Sequence, residues 1–201
     1  TGSDSFTYTI TDGQGDTNSA TVNVTVNGPS GTQNITVSAA GTIESTNPTT
    51  NIDEATLGYV TTKYNAAPAT SAARKAYFQF DVSALNVNAS GTATFTVNFT
   101  NSFQQNVQLW ALNQAFAGDV STLTWNTAPA NETTTNNLLT TGGTTATAIG
   151  SATLIPASYP NPASFSIPNI GSYVQGGKVV LVLTGVTHAS NNSSGARYNR
   201  T

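Results

Sequence analysis

Apolar and polar residues alternate through much of this chain. Phe6, Tyr8 and Ile10 are each followed by Thr, and Val22, Val24 and Val26 are each followed by Asn or Thr. A period of two places each set on one face of a strand, and Asp12-Gly13-Gln14-Gly15-Asp16 between them is a turn signal, so residues 5–26 predict a β-hairpin. A two-stranded ribbon is marginal alone in water, so its apolar face, formed by Phe6, Tyr8, Ile10, Val22, Val24 and Val26, needs a covering layer. Asn27-Gly28-Pro29-Ser30-Gly31 breaks the pattern and predicts a linker at residues 28–32.

Beyond the linker, short strand candidates recur at residues 33–38, 56–62, 75–82, 92–100, 105–111, 146–154, 163–167 and 178–184. Turn signals separate them, which predicts an antiparallel β-sandwich of jelly-roll type over residues 33–201 with the hairpin, residues 1–27, as an N-terminal appendage. Residues 92–100 alternate most clearly, with Phe95, Val97 and Phe99 on one face and Thr94, Thr96 and Asn98 on the other. Residues 179–183 are apolar on both faces, which predicts a central strand. Residues 126–145, rich in Thr, Asn and Gly, read as a long connection.

Composition supports an all-β chain. Charged residues make up 7% of the sequence and hydrophobic residues 37%, Met is absent, and the polar remainder is mainly Thr, Asn, Ser and Gly. Thr is at home on a pleated surface because its branched Cβ restricts χ1 at little cost in an extended chain. A net charge of -3 with six scattered cations predicts neither a nucleic-acid partner nor an anionic membrane surface. No apolar run reaches the roughly 20 residues of a membrane span, so no membrane insertion is expected. Without Cys there are no disulfides or thiolate sites, and stability rests on sheet packing, with a structural calcium ion as the one candidate cofactor. The opening residues do not form a signal peptide, so the chain reads as a mature or excised piece.

Catalytic chemistry has little to build on. The single His, His188, follows a strand, and the acids are dispersed, several in turns. The expectation is a protein that is not an enzyme. Asp53 and Glu54, beside Asn51 and with Asp81, are the candidate calcium ligands, because calcium takes loop carboxylates and carbonyls; solvated turn acids are the plainer alternative. A sugar ring needs an aromatic plane flanked by donors, and Trp110, Tyr64, Tyr59, Lys63, Arg74, Lys75 and Arg197 are the candidates. Trp110 alternates with Val107 and Leu109 and is either an exposed platform or a core residue. Trp125 reads as a plug under the long connection. Several Asn-x-Ser/Thr sequons arise readily in such a composition and predict no specific glycan.

The first 26 residues resemble the closing hairpin of bacterial immunoglobulin-like or cadherin-like repeats, through residues 4–13 (DSFTYTITDG) and 20–26 (ATVNVTV). Residues 33–201 resemble the DNRLRE-type β-sandwich modules, through residues 74–83 (RKAYFQFDVS), 123–129 (LTWNTAP), 165–168 (FSIP) and the late strand at 178–184. That resemblance implies a carbohydrate-binding module of a secreted or cell-surface bacterial protein, with polysaccharide as partner. The family pattern continues with another strand where residues 193–201 end this chain, which implies an unpaired sheet edge. An alternative follows from that edge and the spare hairpin: a subunit of an extracellular filament, whose hairpin donates strands to neighbouring copies of the same protein.

Overall fold

The structure is a computed structural model that describes residues 2–26, 32–52, 59–68, 70–85, 87, 90–98, 105–154, 162–188 and 196–199. It is all-β, and the chain divides into two compact units, Thr1–Asn34 and Ile35–Thr201.

The first unit is the hairpin of β1 (Gly2–Thr11) and β2 (Thr17–Val26), paired antiparallel from Gly2 opposite Val26 to Thr11 opposite Thr17. Its turn is closed by Asp12, whose N–H reaches the Asp16 carbonyl at 2.9 Å and whose carboxylate accepts the N–H groups of Gln14 and Asp16. Gly15 sits at φ 96°, which L side chains rarely adopt. On one face Thr7 faces Thr21 and Thr9 faces Ser19, their hydroxyls in contact at 3.2 and 2.7 Å.

In the second unit, β3 (Ala39–Glu44), β5 (Arg74–Asp81), β10 (Lys178–His188), β7 (Gln105–Leu112) and β8 (Ala146–Leu154) form an antiparallel sheet in the order β3-β5-β10-β7-β8. One face packs against two short pairs, β4 (Tyr59–Thr62) with β11 (Ala196–Asn199) and β6 (Ala93–Asn98) with β9 (Pro162–Ile167). Phe78 and Phe80 from the sheet meet Phe95, Phe165 and Tyr198 from these pairs, joined by Val107, Leu109, Leu181 and Leu183. The other face is covered by residues 113–145, here called the strap, whose Val120, Leu123, Trp125, Ala130 and Leu138 bury Tyr77, Trp110, Val180 and Val182. The central β10 is therefore apolar on both sides, as residues 179–183 predict.

Strand alternation sets which residue meets which layer. In β5, Ala76 and Phe78 face the short strands while Lys75 and Tyr77 lie under the strap. In β3, Gly41 lies against the 3-10 turn Val120–Thr122, where a Cβ would come within 2.3 Å of the Val120 carbonyl oxygen.

Two expectations are corrected. Residues 33–38 form no strand: Ile35 and Val37 pack on the core from an irregular segment, and the sheet begins at Ala39. Residues 196–199, for which no strand is predicted, form one: β11 pairs with β4 from Ala196 opposite Thr62 to Asn199 opposite Tyr59. Tyr198 is thereby buried, with its hydroxyl 2.7 Å from Thr62 Oγ1.

Candidate functional site

The end of β4 and the start of β5 bring together three of the expected ligand-binding residues. Lys63 and Arg74 pair as a β-bridge, each N–H donating to the other's carbonyl at 3.0 Å, and Tyr64 follows directly. All three are half-buried, as is Tyr59 at the far end of β4. Gly185 lets the Tyr64 backbone approach: a Cβ there would lie 2.7 Å from the Tyr64 nitrogen. The next residue is tied to the strap, because the Asn65 N–H donates to Asn136 Oδ1 at 3.0 Å and Asn136 Nδ2 donates to the Asn65 carbonyl at 2.7 Å.

Arg74 is held in place by Glu44. Its Nε donates to Glu44 Oε2, while Thr46 and Asn47 donate to Oε1. Burial alone would raise the Glu44 carboxyl, but the bond from Arg74, with those from Thr46 and Asn47, more than offsets it and leaves the group below the usual carboxylate range. A guanidinium carries five donors, and the Nε–H bond to Glu44 fixes the direction of the Arg74 side chain. Register places Arg197 opposite Thr61, two residues before Lys63.

Trp110 is not part of this edge. It is only 7% exposed, its Nε1 donates to Thr184 Oγ1 at 2.9 Å, and it belongs to the core beneath the strap. The alternation that placed Val107 and Leu109 inside is correct, but the opposite face of β7 is covered as well, so neither face offers a sugar a ring. Trp125 is also buried, with Lys75 Nζ 4.7 Å from its ring centroid.

Asp53 and Glu54 lie outside the described residues. Their neighbour Asn51 staples the strap, donating through Nδ2 to the Ser121 and Leu123 carbonyls at 2.8 Å each. Asp81 accepts the N–H and hydroxyl of Ser83, which lower its carboxyl below the usual range; it closes a turn. Among the described residues no group of three or more Asp, Glu and His could hold a metal ion, and no helix is long and apolar enough to cross a membrane.

Sequence reasoning missed the role of Lys75. It is fully buried, and its Nζ donates to Asn131 Oδ1, the Glu132 carbonyl and the Asn137 carbonyl at 2.6, 2.8 and 2.6 Å. Burial pulls its ammonium down to about 7, with Glu132 partly opposing the shift. The available signal was parity: Lys75 shares a face with Tyr77, and a strand face carrying Tyr asks for cover.

In the hairpin, Phe6, Tyr8, Ile10 and Val24 are exposed on one face, Phe6 at 57% and Ile10 at 61%. Val22 pairs with Phe6 across the ribbon and is half-buried, and Val26 closes it opposite Gly2. Residues 1–25 match the model of the family described as bacterial Ig domain. No curated protein matches the chain.

Proposed function

We propose that this chain is a non-catalytic module of an extracellular bacterial protein, and that its sandwich holds glycan at the β4–β5 edge. The observation that carries the reading is the Lys63–Arg74 bridge, which pairs two cationic residues directly before Tyr64, with the following Asn65 tied to Asn136 of the strap. A half-buried aromatic with cationic residues next to it in the strands suits a sugar ring and its hydroxyl or acidic groups. The resemblance to DNRLRE-type modules and the Ig-domain match of the hairpin support the same setting. Affinity electrophoresis of the full chain through gels carrying neutral or acidic polysaccharides tests it. At least one gel should retard the protein, and Tyr64→Ala and Lys63→Ala should each weaken retention by about tenfold, the loss expected for an interaction of roughly 1.4 kcal/mol. Free migration through every gel would sink the reading.

A second reading, assembly with neighbouring copies through the hairpin, is favoured by the exposed apolar face of Phe6, Tyr8, Ile10 and Val24. Isolated exposed apolar residues are ordinary, but a contiguous row on a two-stranded ribbon invites a covering sheet. Light scattering coupled to size exclusion should then show oligomers that dissociate when Phe6 and Ile10 are both changed to Thr, whereas a monomer at every concentration removes this reading.

A further inference from the structure

The buried Lys75 is used by neither reading, and its surroundings have the form of a cation site. Asn131 Oδ1, the Glu132 carbonyl and the Asn137 carbonyl, all from one short stretch of the strap, converge on Nζ at 2.6 to 2.8 Å. Oxygens gathered this way from a loop are the ligand set that hard cations take. Here they match the three donors of an ammonium, one acceptor to each N–H. The Trp125 ring closes a further side, with its centroid 4.7 Å from Nζ. The loop is built for this guest: Asn131 Nδ2 donates to the Trp125 carbonyl at 2.6 Å, which fixes the direction of Oδ1, and Asn131 and Leu138 pair as a bridge that closes the loop's neck.

We propose that the Lys75 amino group is an internal donor, standing where a bound cation would, around which residues 131–137 of the strap fold, and that it makes closure of the strap over the sheet independent of any metal ion. β5 delivers the donor from below, so the strap docks only where the sheet is already formed. The same contact ties the cover of the second core to the strand that carries Arg74 at its first position, next to the edge described above.

Chemical rescue tests this in the full chain. In Lys75→Ala the part of the side chain lost beyond Cβ is n-propylammonium, which should refill the cage. Thermal unfolding of the wild type should be unchanged by EDTA or added calcium. The Ala variant should melt about 10 °C lower, and n-propylammonium should recover about half of that loss through preferential binding to the folded state. Tetramethylammonium, which has no N–H to donate, should recover nothing. Where the Ala variant is unfolded at room temperature, the readout becomes recovery of Trp fluorescence on adding n-propylammonium. Loss of wild-type Tm in EDTA, no rescue by n-propylammonium, or equal rescue by tetramethylammonium would each overturn the proposal.

Discussion

Phe95→Ala is expected to destabilise the second unit by about 3–5 kcal/mol, the range for deleting a buried Phe. Phe95 is 6% exposed on β6 and meets three aromatic rings at once, with centroid separations of 5.3 Å to Phe78, 5.9 Å to Phe80 and 6.2 Å to Phe165. The first two contacts are edge-to-face, the arrangement that the ring quadrupole favours. The cavity would open between two layers whose backbones are fixed by separate hydrogen-bond ladders, so neither can collapse into it without breaking register. Phe95→Leu refills most of the volume but forfeits the ring geometry, and is expected to cost less than half as much. Urea unfolding gives both values, the slope m reporting whether the transition still spans the same surface. A loss below about 1 kcal/mol for Phe95→Ala would mean that β6 and β9 do not pack on the sheet as described.

Much of this architecture was legible because the two-residue periods of β1, β2, β6 and β10 survive in the fold. The limits of β8 at 146 and 154 agree with the strand candidate there, and β10 is central because Val179, Leu181 and Leu183 face one core while Val180 and Val182 face the other. The first sheet strand was not legible for the opposite reason. In β3 the residues AAGTIE carry little apolar bulk, and Gly41 reads as a turn. Its role emerges only when the Val120 carbonyl is seen to occupy the space of its Cβ, a contact between residues far apart in sequence. β11 was missed because four residues with a single core side chain, Tyr198, make no periodic signal.

The strap explains the remaining errors together. Residues 126–145 announce themselves as a connection through their Thr, Asn and Gly, but their few apolar anchors have no period, so nothing local shows that they form a third layer. Once the strap is taken for a loop, the face of β5 and β7 beneath it stays open between a wet face and one resting on another layer. Trp110 then becomes a candidate platform and Lys75 a candidate ligand-binding cation. Both are buried instead, and both find partners: Thr184 for the indole N–H and the strap oxygens for the ammonium. The Lys63–Arg74 pairing was legible as two cations flanking one loop, while the orientation of Arg74 depends on Glu44, which pairs with it across β3 and β5.

Lys75→Met is expected to cost about 3–5 kcal/mol near neutral pH, since it strips the donor from three buried acceptors while leaving the stem volume in place. The cost should depend on pH in a direction set by the burial of the amine. In the folded protein Lys75 titrates at about 7, against 10.5 for the ordinary group. Between those values the unfolded chain binds more protons than the folded one, so the contribution of Lys75 to stability rises with pH across that window and is lost as pH falls through 7. The slope for one such residue is at most about 1.4 kcal/mol per pH unit. Deprotonation does not empty the cage, because a neutral amine still donates two hydrogen bonds to the strap. Nearby groups leave the window clear: Glu132 is held below the usual carboxylate range by Thr134, and Tyr77 is pushed far above the ordinary phenol value by burial. The difference in unfolding free energy between wild type and Lys75→Met, measured by urea titration at intervals from about pH 6 to pH 9, should therefore widen as the solution becomes more alkaline. A difference that stays flat would mean that the three oxygens and the Trp125 ring fully offset the desolvation of the ammonium, leaving Lys75 charged throughout; one that narrows would mean that a group other than Lys75 sets the pH dependence.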